Sequence, residues 1–264
     1  MEHNPFISIT VTPGYSDGHL IQWRIDPTFY STGTYDFYVE TSGAIDFSEV
    51  LNSYPVGDTF CFIDKSNIKQ NIQTNYFYRI KLIVDGNIWY SATSAVSKPG
   101  YTANQYRIAT EIARKEVLRS SKYTGGEFYL LKLKSYGQEG TDETIDPVTG
   151  LAMTSGKPNY GISKVNGFYA PIKLSLSIDD VSDIRKLAPD GSGVIENTQL
   201  SARVAGFPII DTNDIVVDLT QDQRWLVKDR QNTPFPGTIL NIVQLLKLNL
   251  IPPTDPIYSI KIDE

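Results

Sequence analysis

The sequence is short of the residues that most often do chemistry. In 264 residues it holds one cysteine, Cys61, and two histidines, His3 and His19. One thiol closes no internal disulfide and builds no cysteine-based zinc site. Cys61 lies between Phe60 and Phe62 in FCFID, where it is expected as a buried small hydrophobe. His3 is at the N-terminal end, and His19 is expected in a turn before Leu20. Neither stands beside a nucleophile motif, so a Ser-His-Asp arrangement has no anchor. Lys and Arg total 24 against 30 Asp and Glu, a net charge of −6, so the basic footprint that a phosphate backbone demands is missing. The richest apolar run, 238–252, is broken by Asn241, Gln244, Lys247 and Asn249 and is too short to span a bilayer. No membrane is expected among the partners. MEHNPFISITVTPG has no basic and no apolar leader region, so no signal peptide is expected.

Near misses to known sites fail on spacing. GLAMTSGKP (150–158) puts five residues between Gly150 and Gly156, and Pro158 stands where a phosphate-binding loop needs a hydroxyl. DTNDIVVD (211–218) and DDVSDIRKLAPDGSG (179–193) lack the alternating oxygen ligands of a calcium loop. Their carboxylates are expected in solvated turns, with Asp190-Gly191 a tight one. Asp142 and Glu143 sit side by side in a polar stretch, with nothing to split them into acid and base. No catalytic, cofactor-binding or metal-ligating residue is assigned, no cofactor is expected, and the chain is expected not to be an enzyme.

Aromatic and β-branched residues are plentiful, with Tyr (16) ahead of Phe (11), a bias that suits half-buried pleated surfaces and protein interfaces. Residues 7–12, 19–26, 35–42, 58–64, 76–84 and 88–97 read as short strands separated by PGYSDG, STGT and DGN turns. Tyr76, Tyr78, Ile80, Leu82 and Val84 alternate with Arg79 and Lys81 at the period of a strand. Six or seven such strands predict a β-sandwich over residues 1–98. LIQW (20–23), YDFYVE (35–40), TNYFYRIKLI (74–83) and SATSAVS (91–97) resemble a fibronectin type III or related immunoglobulin-like domain. The resemblance makes Trp23 the core tryptophan and Tyr76 the corner tyrosine.

Pro99-Gly100 marks a boundary. Thr102 and Gln105 form a capping-box pattern opening a helix to about Ser120. Ala109, Ile112, Ala113 and Val117 share its apolar face, opposite Arg107, Glu111, Arg114, Lys115 and Arg119. Residues 99–121 are thus expected as a linker helix. Residues 122–264 are expected as a second β-rich domain, an antiparallel barrel or sandwich. Its strands are predicted at 128–137, 168–178, 196–206, 214–219, 223–230, 237–251 and 256–262. A loop at 137–167, rich in Gly, Asp, Thr and Asn, interrupts it. A loop of that length is usually functional.

Read in order, GGEFYLLKLKSYGQEG, DPVTGLAMTSGKPNYG and NGFYAPIKLSLSI resemble a family of tailed-bacteriophage virion proteins. The matching residues are Leu130, Leu131 and Lys132; Asp146, Pro147 and Gly150; Tyr160 and Gly161; and Gly167, Tyr169, Pro171 and Ile172. DQRWLVKDR and IVQLLKLNLIPPTDPIY resemble the family's C-terminal end. Relatives that carry four cysteines around this turn hold them at the spacing of a structural zinc site. Here Glu139, Asn159 and their neighbours occupy that region, and no zinc is expected. The resemblance implies a virion structural protein of the neck, a connector or head-closure subunit assembled in the host bacterial cytoplasm. The implied partners are itself in a ring of six or twelve copies, the portal, tail-side neck proteins, and packaged DNA through the channel lumen. In that setting neighbouring subunits would order the 137–167 loop. A baseplate or fibre-attachment protein fits the same sandwich. A carbohydrate-binding module would use Trp23, Trp89 or Trp225 as a sugar platform, although Trp23 and Trp225 lie in strand patterns that favour core packing.

Overall fold

The computed structural model describes residues 4–15, 18–29, 31, 33–66, 76–95, 103–136, 164, 167–187, 194–234 and 241–262. The described chain is mainly β with one α-helix, as the strand-rich sequence predicts. Among the described residues no helix is long and apolar enough to cross a membrane. His3, Thr102, Glu139, Asp142, Glu143, Asp146, Pro147, Gly150, Gly156, Pro158, Asn159, Tyr160, Gly161, Asp190 and Gly191, and nearly all of the 137–167 loop, lie outside the described residues.

The chain divides into two compact units. The first is Met1–Thr110 with Lys134–Tyr169, and the second is Glu111–Leu133 with Ala170–Glu264. The expected segments were 1–98, 99–121 and 122–264. Two differences stand out. The helix is shared between the units, and a stretch of the expected second domain belongs to the first.

The first unit is a sandwich. One sheet has the order β1 (Phe6–Tyr15), β2 (Gly18–Ile25), β5 (Cys61–Asp64). The other has the order β4 (Val50–Gly57), β3 (Asp36–Ser42), β6 (Phe77–Val84), β7 (Asn87–Tyr90), with β8 (Ser94–Ala95) also on β6. This is an immunoglobulin-like partition of antiparallel strands. Alternation on β6 is strict: Tyr78, Ile80, Leu82 and Val84 are buried, while Arg79 and Lys81 are only half-buried. Trp23 on β2 is buried and meets the Phe37 ring of β3 at 5.4 Å, so it is the inter-sheet tryptophan.

Several expectations within this unit are corrected. His19 lies within β2, as the 19–26 strand predicts, and is buried rather than in a turn before Leu20. Cys61 is only half-buried, whereas its neighbour Phe60 is buried. Tyr78, not Tyr76, is the strand's buried tyrosine, since Tyr76 precedes β6 and is half-exposed. Strand β4 was not predicted. It is an edge strand with a mostly exposed, polar-interrupted sequence and Pro55, the features expected at an edge.

The sandwich core is finished by residues far along the chain. Tyr136 packs on Tyr35 and Phe37, both at 5.7 Å between ring centroids, and its hydroxyl donates to Thr59 O at 3.1 Å. Tyr169 packs on Phe60 at 5.0 Å and on Tyr136 at 5.9 Å. Lys134 N donates to Gly167 O, and Lys134 Nζ pairs with Asp58 at 2.6 Å. The two ends of the 134–169 excursion therefore meet each other on the sandwich. Gly167 has φ +59°, a left-handed value that favours glycine at this junction.

The second unit contains the later half of α1 (Ala103–Arg119) and a π-helical turn, Ser120–Thr124. Ala113 is buried, but Ile112 is exposed, so the apolar stripe on the described part of the helix is narrower than predicted. One turn on along the same face, Glu116 is bonded to Arg203 Nε at 2.8 Å and to Arg119 at 2.7 Å. Gly125 ends the turn, where a Cβ would collide with Ser120 O.

The remaining strands close a barrel. They are β9 (Gly126–Leu131), β10 (Ile172–Leu187), β11 (Val194–Ala205), β12 (Ile215–Asp218), β13 (Gln223–Pro234) and β14 (Asn241–Leu250), in the order β10-β11-β14-β13-β12-β9. Phe128, Leu130, Leu176, Val204, Trp225, Val227 and Leu248 fill it. Leu-rich β14 is a strand, as its Gly and Pro punctuation predicts. PIYSIKI is not a strand: Asp255 accepts from Ile257 N and caps a 3-10 turn, Pro256–Ser259. Proline at the start of the turn and the buried Arg224 side chain, which donates to Tyr258 O and Ile260 O, hold it there.

Candidate functional site

The structure concentrates ionisable side chains in two buried networks, one in each unit. In the sandwich, His19 Nδ1 and the Tyr78 hydroxyl are 2.7 Å apart, and that hydroxyl is 2.8 Å from Asp64 Oδ2. If the tyrosine donates to the carboxylate, its oxygen accepts from a protonated Nδ1. Asp64 Oδ1 also accepts from Ser66 N. All three side chains are buried. Burial pushes the His19 ring below its usual range, and the Asp64 charge partly opposes this. The arrangement is a donor–acceptor chain that runs from one sheet to Tyr78 on the other and back.

In the barrel, β9 and β12 pair with Leu131 opposite Ile215. The next residue outward on each side is polar: Lys132 after β9 and Asp214 before β12. Lys132 Nζ lies 2.8 Å from Asp214 Oδ2, 2.6 Å from Asp211 Oδ2 and 3.2 Å from Ile209 O. The Asp214 carboxyl also accepts from Leu133 N at Oδ1 (3.0 Å) and from Asp211 N at Oδ2 (2.6 Å). Arg230 Nη1 holds Asp211 Oδ1 at 2.8 Å and also donates to Ile210 O. The Asp214 side chain is 1% exposed and that of Lys132 9%. Burial raises the Asp214 carboxyl above its usual range, against the opposing charge of Lys132. Gln244 pins the same segment from within, donating to Ala205 O and Pro208 O and accepting from Ile210 N.

DTNDIVVD is therefore not a solvated acidic turn. Asp211 is partly buried, Asp214 and Asp218 are buried, and the first two are paired. The readable signal was an aspartate placed directly against the apolar run IVVD; an acid at the mouth of a buried strand needs a cation.

A third feature is made of backbone. Strand β10 pairs with β9 only over Ile172–Leu176, and β11 pairs with β14 only over Gln199–Ala205. Beyond those limits β10 and β11 still pair, from Asp183 opposite Thr198 out to Leu187 opposite Val194. A two-stranded ribbon thus extends past the barrel wall. Sequence reading had placed an acidic turn over 179–193, whereas β10 runs on to Leu187.

Trp23 and Trp225 are core residues and offer no sugar platform. Trp89 is half-buried, with its ring against Phe29 at 6.0 Å. Of the residues carrying the phage resemblance, Leu130, Leu131 and Lys132 are buried at the end of β9, Tyr169 lies in the sandwich core, and Ile172 opens β10. No protein-family model matches the chain. No curated protein matches it either.

Proposed function

We propose that the protein is a structural subunit of a tailed-phage virion, forming a ring in the neck between portal and tail. The observation that carries this reading is the β10–β11 ribbon. Among the described residues its outer five rungs have no third strand beside them. A lone two-stranded ribbon is marginal in water, and its edges present backbone donors and acceptors to a neighbour. A closed barrel has no edge of its own to offer along its wall, so strand pairing through the barrel falls to what projects. Ribbon against neighbour is a heterologous contact, the kind that generates a ring when its rotation closes, and strand addition supplies its hydrogen bonds. The ordered run of motifs from Leu130 to Ile172 supports the phage assignment.

In this reading the portal and tail-side neck proteins cover the two faces of the ring, and packaged DNA passes through its lumen. The protein acts by assembly rather than catalysis and resides in the virion. An electron-microscopy map of the particle tests it. Six or twelve copies between portal and tail are expected. Density in the baseplate or at a fibre base, or absence from the particle, overturns it.

A further inference from the structure

The Lys132 cluster has the parts of a self-acylating site. We propose that Lys132 and Asp214 join through an intramolecular amide, formed by the folded protein with Asp211 as the proton acceptor. This modification is independent of the neck reading.

Three observations converge on it. The nucleophile is in place: Lys132 Nζ is 2.8 Å from Asp214 Oδ2, buried and held to one position by its bond to Ile209 O. Holding the amine at hydrogen-bond distance from the carboxyl makes its reaction there intramolecular. The two carboxyl groups also differ in environment. Asp214 is sealed from water and its burial favours the neutral acid, whereas Asp211 is partly exposed and paired with the Arg230 guanidinium as well as with Lys132. Such a split assigns roles to a pair of acids: Asp214 is the electrophile and Asp211 the base. Finally, Leu133 N–H points at Asp214 Oδ1 at 3.0 Å, so a backbone donor already faces the oxygen on which negative charge develops.

The step balances without a co-reactant. Asp211 takes a proton from the Lys132 ammonium. The freed amine attacks Cγ of the protonated Asp214, and the Nζ–Cγ bond forms while charge collects on Oδ1. A nitrogen proton passes to Oδ2, the Cγ–Oδ2 bond breaks, and water leaves. The proton taken up by Asp211 goes to solvent. Neither oxidation nor reduction occurs. The product ties β9 to β12 at the end of their ladder, where Leu131 faces Ile215.

Intact mass spectrometry of the purified full chain is the test, with Lys132→Arg and Asp211→Asn beside it. The wild type is expected to weigh one water less than its sequence. Lys132→Arg is expected at the full sequence mass, and Asp211→Asn at least tenfold slower to lose water. Peptide mapping should find one branched peptide joining Lys132 to Asp214. A wild-type mass equal to the sequence mass overturns the proposal. So does a water lost equally from Lys132→Arg, which would point to cyclisation elsewhere, such as at Asp190-Gly191. Because the wild type itself is read, a variant that fails to fold leaves the result standing.

Discussion

Each buried network is a set of residues whose meaning depends on partners distant in sequence. His19 and Tyr78 are 59 positions apart, and Lys132 and Asp214 are 82 apart. The His19 chain carries a pH prediction with a definite sign. Burial lowers the folded-state pKa of His19 below its unfolded value of about 6.5. On acidification the unfolded chain therefore takes up this proton first. The stability is complete above the unfolded pKa and is lost as pH falls from there through the folded pKa. Chemical denaturation followed by tryptophan fluorescence should show wild type weakening as pH falls below about 6.5, with His19→Gln flatter over the same range. Identical slopes in the two proteins would remove His19 as the source. Tyr78→Phe should cost about 1–3 kcal/mol at neutral pH, because it leaves two buried groups without the hydroxyl they share.

At the level of elements, strands were legible wherever local sequence settled them. Tyr78 to Val84 alternates cleanly, and β14 lies between Gly237 and Pro252, so neither needed distant information. Strand β4 was hidden by Asn52, Ser53 and Pro55, which an exposed edge tolerates and a central strand does not. PIYSIKI looked extended by composition, yet Asp255, Pro256 and the remote Arg224 make it a 3-10 turn. Asp214 looked solvated for the same reason: its cation is supplied by another strand. Least legible was the use of Tyr136 and Tyr169. Their local sequence belongs with the barrel strands, while their rings complete the sandwich. This bears on the expectation that residues 1–98 make up the sandwich. Tyr136 is fully enclosed, and burial pushes its hydroxyl well above the usual tyrosine range. Tyr136→Ala should destabilise the sandwich by about 3–5 kcal/mol, the cost of an aromatic truncated in a core. A fragment of residues 1–98 should unfold at lower denaturant than the same unit in the full chain. Equal midpoints would show that the two tyrosines merely cover a finished core.

For the whole molecule, the question is what the ribbon is for, and removing it answers the question directly. Ser182 and Gln199 are register partners at the barrel wall. The segment 183–198 can be replaced by Asn-Gly, the two residues best suited to a tight antiparallel hairpin. The pairings of β10 with β9 and of β11 with β14 do not include this segment. The shortened barrel should therefore keep its secondary structure and cooperative melting. What it loses is five rungs of backbone pairing with, among the described residues, no third strand alongside, a feature that gains little for its ordering entropy of about 1–2 kcal/mol per residue unless another chain covers it. If subunits join through it, sedimentation at matched concentrations should show the full chain in a closed oligomer and the shortened chain as a monomer, and the shortened chain should be absent from assembled particles. A shortened chain that forms the same oligomer and enters particles normally would show that the ribbon is not the joint. The burden of assembly would then move to the sandwich edges at β1, β5, β4 and β7. Pro55 and the exposed polar residues of β4 guard one of these, leaving β1, β5 and β7 as the strands to test next.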